Sequence, residues 1–398
     1  MPALVPAYLQ GKDLGTASPG LRFGMFFSAW QPDFSIGKES KVPALKAVGK
    51  LNANDEEAMK EIALRQTQLA QITANTLTFD AIATAPFTTG LGNEHPLENG
   101  FAFLNPYGLP YLSGSGIKGV LRQAARELTS GEWGETHGWN ETAITALFGK
   151  QTDEHDKEHQ RGTLSFWDAL PQIPGANLAV DIMTPHQGHY YQQNDEATSG
   201  ARTTPHDSGQ PNPISFLTLP PGTKFAFHVR CDLPRLQSLA HDLAENLRWQ
   251  ALLTAAFKHA FAWLGFGAKT AVGYGAMQTD PEIQARKDKE ASQRHEQAER
   301  EARERQREAE LKALSPVDRA IRECLDARKD PNLGAIPALK NAIKAEQWHG
   351  EMKRDLALRL REMMQAAKKW KESTQAKKPE KDGDYQDTLL VKSWIETK

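Results

Sequence analysis

The sequence predicts an α+β fold: a ferredoxin-like βαββαβ body with long loop insertions, followed by a charged helix and a small all-α C-terminal domain. Three observations lead to this prediction. Short segments alternate between apolar and polar residues, amphipathic helices separate them, and opposite charges crowd the chain after residue 281. The 398 residues allow two to three domains. We divide the chain into an N-terminal extension with one helix (1–75), the ferredoxin-like domain (76–280), a charged helical linker (281–313) and a small helical domain (314–398).

The strands of the body are predicted from period-two alternation. Leu77, Phe79 and Ala81 alternate with polar or small residues in the first of them, 76–85. Further strands are predicted over 162–169, 178–183, 214–219, 224–230 and 272–277, and helices over 55–73, 117–128 and 235–264. The strands 214–219 and 224–230 are expected to form a hairpin across a Pro-Pro-Gly-Thr turn. An antiparallel sheet of this kind can leave one face open for RNA.

Residues 109–128 contain the first candidate binding site. Ser113 to Gly116 predict a Ser/Gly turn, with Ser115 as the N-cap of the following helix. The free N–H groups and positive dipole end of such a helix start bind a phosphate-sized anion. Lys118, Arg122 and Arg126 are four residues apart and form a basic row, which suits a polyanion. An ordinary capped loop with a solvated basic face is the alternative interpretation.

The second candidate is a glycine-rich loop, GFGAKTAVGYGAM, at 265–277. Gly265, Gly267, Gly273 and Gly275 bracket Lys269 and Thr270 in this loop. The loop follows a helix and precedes a strand, which is the reverse of a P-loop, so nucleotide hydrolysis is not predicted. Lys269 and Thr270 can still contact phosphate oxygens, because glycine lets the backbone approach closely.

The charge distribution limits how the body can bind a nucleic acid. The net charge is −2, but residues 1–281 carry 21 Lys/Arg against 27 Asp/Glu, whereas residues 282–398 carry 27 against 23. No Lys or Arg occurs between Arg65 and Lys118. RNA would therefore be bound through local groups and backbone N–H rather than a broad basic surface.

Metal, cofactor and membrane roles are not predicted. The two cysteines, Cys231 and Cys324, are far apart and form neither a zinc motif nor a disulfide framework, which favours a reducing cytoplasm. The longest apolar run, 255–266, is interrupted by Lys258 and His259 and is too short to cross a bilayer. We expect no cofactor and no membrane contact.

Three histidine groups leave alternatives open. His95 lies near Glu94 and Glu98 in the long loop 86–116, where a hydrogen-bonded loop is favoured over a metal or acid–base role. The pair His155 and His159 is expected in a solvated loop rather than at zinc. His186, His189 and Tyr190, in the loop 184–213, could supply the acid and base of a metal-free ribonuclease.

The C-terminal part is predicted to be helical. Residues 282–312 contain 18 charged residues in 31 and lack an apolar stripe, so a solvated helix with i,i+4 ion pairs is expected, including Glu296–Arg300, Glu299–Arg303 and Glu301–Arg305. Helices with apolar faces are predicted over 316–328, 336–348 and 352–370. Trp348, Trp370 and Trp394 belong either to their core or to a partner surface.

Three motifs together resemble the RAMP superfamily of CRISPR-associated RNA-binding proteins, in particular subunits of type III-B (Cmr) effector complexes. They are GLGNEHPLENGFAF (90–103), LPYLSGSGIKGVLR (109–122) and LGFGAKTAVGYG (264–275), supported by VDIMTPHQGHYY (180–191). The likeness covers about residues 76–278 and does not extend to the charged helix or the helical tail.

This resemblance implies an RRM-like body and a non-catalytic subunit that holds the 3′ part of the guide RNA and the guide–target duplex. It also implies contacts with neighbouring RAMP backbone subunits and a small helical subunit. Ser113, Ser115, Lys118 and Arg122 match the family's Ser/Gly–Lys–Arg motif, and Gly265, Gly267, Lys269, Thr270 and Gly273 match its glycine-rich loop. A RAMP-type endoribonuclease that processes CRISPR RNA, and a protein-only scaffold that uses the C-terminal helices, are the alternatives.

Overall fold

The computed structural model describes residues 7–9, 11–31, 33–151, 159–185, 213–328, 330, 332–374 and 378–396. The chain divides into two compact units, residues 1–286 and 287–398. Within the described ranges, no helix combines the length and the apolar character needed to cross a membrane.

The first unit is a mixed α and β structure. Its strands are β1 (Thr76–Ala83), β2 (Phe103–Leu104), β3 (Leu109–Pro110), β4 (Leu164–Phe166), β5 (Ala179–Met183), β6 (Ile214–Thr218), β7 (Lys224–Cys231) and β8 (Met277–Thr279). Its helices are α1 (Pro19–Gly24), α2 (Lys41–Gly49), α3 (Ala53–Ile72), α4 (Gly114–Ser130), α5 (Glu141–Phe148), α6 (Leu233–Leu239), α7 (His241–Ala244) and α8 (Arg248–His259). The main sheet is antiparallel, with the order β4-β7-β1-β8.

The predicted hairpin between 214–219 and 224–230 is wrong. β6 pairs with β5 in a separate two-stranded sheet, whereas β7 lies between β1 and β4 in the main sheet. β7 fits this position because Phe227 lies opposite Phe79 of β1 and Phe225 lies opposite Ala81, so that their apolar side chains share one face. Several strands share the same alternation, so the local pattern does not determine which strand pairs with which.

Both faces of the main sheet are covered. On one face, the rings of Phe79 and Phe257 stack with their centroids 4.0 Å apart, which joins the sheet to α8. α3 packs on the opposite face, where His228 is only 2% exposed and its Nδ1 lies 2.9 Å from Thr78 Oγ1. The expectation of a sheet face open for RNA is therefore wrong, because α3 covers that face.

The helix predicted over 55–73 is confirmed as α3, but its N-cap is Asn52. Asn52 Oδ1 accepts from the Asp55 amide at 2.9 Å, and Asp55 Oδ2 accepts from the Asn52 amide at 3.0 Å, which forms a capping box. Phe27 and Leu45 from the predicted N-terminal extension pack in the same core as Phe227. The four-part division of the chain stays a prediction.

The single helix predicted over 235–264 is wrong, because the segment is broken into α6, α7 and α8. Asn246 and Leu247 have φ values of +48° and +55°, which are incompatible with a continuous right-handed helix. A π-helical turn, Ala260–Leu264, follows α8. The strand predicted at 272–277 is displaced to β8, after a 3-10 turn at Thr270–Val272. The apolar residues before and after the break still reach the core, so their periodicity did not reveal it.

The second unit contains α10 (Pro316–Asp326), α11 (Ala335–Lys344), α12 (Gly350–Ala366) and α13 (Gly383–Glu396). Leu339, Leu356 and Val391 are fully buried in its core. Trp348, Trp370 and Trp394, which the sequence left between core and partner surface, are partly buried and pack against this core.

The predicted charged helix is confirmed as α9 (Pro281–Ala313), which crosses the division between the two units. Its described side chains are exposed except for that of Ile283, which is partly exposed. Two of the expected i,i+4 ion pairs are present, Arg303–Glu299 at 3.7 Å and Arg305–Glu301 at 3.5 Å. Arg300 pairs with Glu304 at 3.2 Å, not with Glu296 as predicted.

Candidate nucleic-acid interface

The start of α4 differs from the predicted Ser/Gly turn. Ser113, not Ser115, is the N-cap, because Ser113 has extended backbone angles and its Oγ accepts from the Gly116 amide at 3.2 Å. The next three residues form the first helical turn. Ser115 is exposed, and its Oγ donates to Ser113 Oγ at 3.1 Å.

A carboxylate of the protein itself already occupies the start of this helix. The Gly114 amide donates to Asp168 Oδ1 at 2.7 Å, just beyond the end of β4. A negative side chain at this position satisfies an amide and interacts favourably with the helix dipole. A Cβ on Gly114 would overlap the carbonyl oxygen of Phe166, so the glycine serves close packing on β4. Asp168 thus occupies one amide of the predicted anion site, and the RNA contacts predicted for Ser113 and Ser115 stay predictions.

Arg122 of the basic row has an intramolecular role. Its Nη2 donates to the carbonyl oxygens of Phe148 and Gly149, both at 2.8 Å, and thereby ties α4 to the end of α5. Burial lowers the pKa of Arg122, and the positive charge of Arg126 lowers it further. Arg126 donates to the side chain of Gln151. The RNA contact predicted for Arg122 stays a prediction.

Lys118 lies among cations from distant parts of the chain. Burial lowers the pKa of Lys118, and the charges of Arg122 and Arg161 lower it further. Arg235 Nη2 donates to the Arg161 carbonyl oxygen at 3.2 Å, and both arginines are exposed. We name the following set the basic cluster: Lys118, Arg122, Arg126, Arg161 and Arg235.

Positive charge dominates in the basic cluster, although the charge of Glu141 acts on Arg122 and opposes the lowering of its pKa. Within the part of the chain that the structure describes, none of its five members forms an ion pair. Like charges held close together without ion pairs raise the local potential and attract a polyanion. Sequence reasoning found Lys118, Arg122 and Arg126 but missed Arg161 and Arg235, because only the folded chain brings Arg161 to Lys118 and Arg235 to Arg161.

The glycine-rich loop is held in place by backbone contacts. Gly265, Gly267, Gly273 and Gly275 all have positive φ, between +67° and +93°. The Gly275 amide donates to the Pro86 carbonyl oxygen at 2.8 Å, and the Ala268 amide donates to that of Thr88 at 2.8 Å. A Cβ on Gly267 would overlap Thr88, and one on Gly275 would overlap Phe266, whereas one on Gly273 meets open space.

Lys269 and Thr270 lie beside the β5–β6 sheet. Lys269 has φ +60°; its Nζ lies 3.3 Å from Met183 Sδ and 5.8 Å from the centroid of the Phe216 ring. Thr270 begins the 3-10 turn and is half-buried. Tyr274 donates to Asp181 Oδ2 at 2.6 Å, and burial together with Asp181 raises the pKa of Tyr274 to about 12.

The two candidate sites adjoin opposite edges of the main sheet. The start of α4 contacts β4, one edge strand, and the glycine-rich loop leads into β8, the other edge strand. They are therefore two separate sites.

His95 is a packed residue. Its Nε2 lies 3.1 Å from the Phe23 carbonyl oxygen, the Leu97 amide donates to its Nδ1 at 3.2 Å, and its ring stacks on Phe23 with centroids 3.7 Å apart. Burial lowers the pKa of His95, so its neutral form is favoured. Glu98 forms an ion pair with Lys41, with 3.8 Å between Oε1 and Nζ. The structure thus favours the hydrogen-bonded loop.

The other histidine alternatives concern residues that are not described. His155, His186, His189 and Tyr190 lie outside the described residues. Among the residues that are described, no group of three or more His, Cys, Asp or Glu side chains could hold a metal ion.

Comparison with known proteins identifies the class. Residues 81–278 match the family model of the RAMP superfamily, and the chain belongs to that superfamily. It is 28% identical over 232 residues to the CRISPR system Cmr subunit Cmr6 of Pyrococcus furiosus. That match covers 47% of this chain and 63% of the relative, which is less than two thirds of its length.

Two solved structures are also similar. The cryo-EM structure of the type III-B Cmr-beta bound to cognate target RNA contains a chain that is 19% identical, with a TM-score of 0.40; the match covers 61% of this chain and 71% of that one. The crystal structure of Cmr6 from Pyrococcus furiosus is 25% identical, with a TM-score of 0.26; the match covers 52% and 97%, respectively. Similarity at these TM-scores does not transfer the geometry of individual residues.

Proposed function

We propose that this chain is a non-catalytic RNA-binding subunit of a type III-B CRISPR effector complex. It holds the 3′ part of the guide RNA and the guide–target duplex, and it contacts neighbouring RAMP backbone subunits and a small helical subunit. The observation that carries the proposal is the basic cluster, five cations without an ion pair in the described part of the chain. RAMP membership and the similarity to a Cmr subunit support it.

The arrangement of the main sheet supports a finer assignment of the fold. In the order β8-β1-β7-β4, the central strands are the first and third of the body, as in a ferredoxin-like βαββαβ unit. The α4 helix follows β1, and α8 follows β7. In this assignment, β5 and β6 form an inserted sheet between the second and third strands of the body.

In this proposal, side-chain cations bind the RNA backbone. Arg161 and Arg235 are exposed, Lys118 is half-buried and interacts with the charge of Arg161, and Arg235 contacts the Arg161 backbone, so an RNA strand can reach these cations along its phosphates. Lys269 and Thr270 on the glycine-rich loop form the second contact region. Contacts of this kind position an RNA strand without reading its sequence.

The test replaces Arg161 and Arg235 by alanine in the full chain, which is then purified with the other subunits of its complex. We expect weaker guide-RNA binding for every guide sequence, because phosphate contacts do not depend on the base. The control replaces Lys60 and Arg65 of α3, which are exposed cations outside the basic cluster. Equal guide-RNA affinity of the R161A/R235A variant and the wild type would contradict the proposal.

A further inference from the structure

Two tryptophans form an exposed aromatic pair on the first unit. Trp133 is 46% exposed and Trp263 is 65% exposed, with ring centroids 5.0 Å apart and ring planes at 57°. Exposed tryptophans in contact are a common feature of binding surfaces, where this residue is enriched. Trp263 lies in the π-helical turn closed by the bond from the Gly265 amide to the Ala260 carbonyl oxygen, 2.9 Å long. Such turns occur frequently at functional sites.

A hydrogen-bonded, buried histidine supports the Trp133 ring. His259 Nε2 lies 2.7 Å from Glu127 Oε2, and the His259 side chain is 5% exposed. The Trp133 ring meets the His259 ring edge-on, with centroids 5.3 Å apart. Trp133 therefore rests on a buried side chain, and little conformational freedom is lost when a ligand covers the pair.

The charges around the pair favour a cation. Glu132 and Glu135 flank Trp133, both are exposed, and neither forms an ion pair within the described ranges. One exposed cation, Lys258 on the last turn of α8, lies close to Trp263 in sequence, but the two carboxylates outnumber it. Two carboxylates and two indole faces attract a positive side chain, whereas the carboxylates repel a phosphate.

We propose that Trp133, Trp263, Glu132 and Glu135 form a docking surface for a basic protein segment. An arginine or lysine side chain of the partner lies against the indole rings, and its charge is neutralised by the two carboxylates. This surface is separate from the basic cluster and does not depend on the proposed RNA-binding function.

The test measures binding of a penta-arginine peptide to the full chain by titration calorimetry. The uncharged control peptide is penta-citrulline. A uridine oligonucleotide serves as the probe for nucleic-acid binding. We expect W263A to weaken penta-arginine binding about two- to fivefold, because an exposed cation–π contact is lost. W263A is the cleanest variant, since this ring is the more exposed of the two. E132Q/E135Q is expected to weaken binding as well, while E57Q/E61Q on α3 binds as the wild type does.

Three results would overturn the proposal. The first is that the wild type binds penta-citrulline as well as penta-arginine, or binds neither. The second is that W263A binds penta-arginine with the affinity of the wild type. The third is that W263A weakens binding of the uridine oligonucleotide, which would make the pair a stacking surface for nucleic-acid bases.

Discussion

The Gly114 amide donates a 2.7 Å hydrogen bond to Asp168 Oδ1, which places a carboxylate of the protein at the start of α4. A phosphate would compete with this carboxylate for the same amide and the same helix dipole. The main role of the helix start is therefore structural, because it links α4 to the residues that follow β4. In the proposed function, the cations beside α4, rather than its backbone amides, therefore contact the RNA.

Replacing Asp168 by alanine should destabilise the first unit without weakening RNA binding. The variant loses a charge-assisted hydrogen bond at a helix N-terminus, for which we expect a loss of about 1–3 kcal/mol in the free energy of unfolding. Urea denaturation of the full chain measures this loss. D242A is the control, because the pair of Asp242 with Arg248 is exposed and contributes about 0–1 kcal/mol. Equal free energies of unfolding for D168A and D242A would contradict the claim that the Gly114–Asp168 hydrogen bond stabilises the first unit.

Arg122→Lys should separate the structural role of Arg122 from RNA binding. The variant keeps the positive charge but loses the planar fork that reaches the Phe148 and Gly149 carbonyl oxygens. We expect a loss of about 1–3 kcal/mol in the free energy of unfolding, because charged hydrogen bonds are removed. RNA affinity at a temperature where the variant is folded should be unchanged. A fall in RNA affinity with unchanged stability would contradict the structural role, because it would mean that RNA, rather than the two carbonyl oxygens, requires the guanidinium.

The glycines of the 265–277 loop should tolerate alanine unequally. All have positive φ, which costs a non-glycine residue about 1–2 kcal/mol. At Gly267 and Gly275, the added Cβ also overlaps backbone oxygens, whereas at Gly273 it meets nothing within 4 Å. We expect G267A and G275A to lower the melting temperature more than G273A does. Equal shifts for all three variants would mean that the backbone approach at Gly267 and Gly275 is not required.

Stability should fall on acidification because of His95. Burial lowers the pKa of His95 in the folded chain, so the unfolded chain takes up the proton first. The contribution of His95 is fully present above the unfolded pKa of about 6.5 and is lost as the pH falls from that value through the lower pKa of the folded chain. Melting curves between pH 8 and pH 5 measure this effect, where H95Q should show a flatter dependence than the wild type. H241Q is the control, because His241 is exposed, and it should follow the wild type.

Local patterns predicted which elements exist, but not how they meet. α3, α4 and α9 were predicted from their apolar or charged periodicity, and their ends depend on caps that lie within a few residues. The partner of β6 could not be predicted, because β5 and β7 offer similar alternation. The break at Asn246 and Leu247 was also hidden, because the apolar positions on both sides keep facing the core.

The candidate site was predicted only where its residues are close in sequence. Lys118 and Arg122 share a helix face and were recognised from their spacing. Asp168 and Arg161 reach α4, and Arg235 reaches Arg161, only through tertiary structure, so no local pattern indicates them. The aromatic pair of Trp133 and Trp263 was missed for the same reason.

The central claim is that the basic cluster binds RNA through phosphates, and the salt dependence of binding tests it most directly. The measurement is the slope of the logarithm of the RNA association constant against that of salt concentration, for the full chain and two unrelated single-stranded guides. The variant K118A/R161A/R235A removes three cations of the cluster. K46A/K60A/R65A removes the same charge from exposed positions on α2 and α3.

The account predicts that the cluster variant lowers the magnitude of the slope by about 2 for both guides, because each lost phosphate contact contributes about 0.7 with single strands. The control variant should keep the slope of the wild type. Slopes that are the same for the wild type and both variants would contradict the claim.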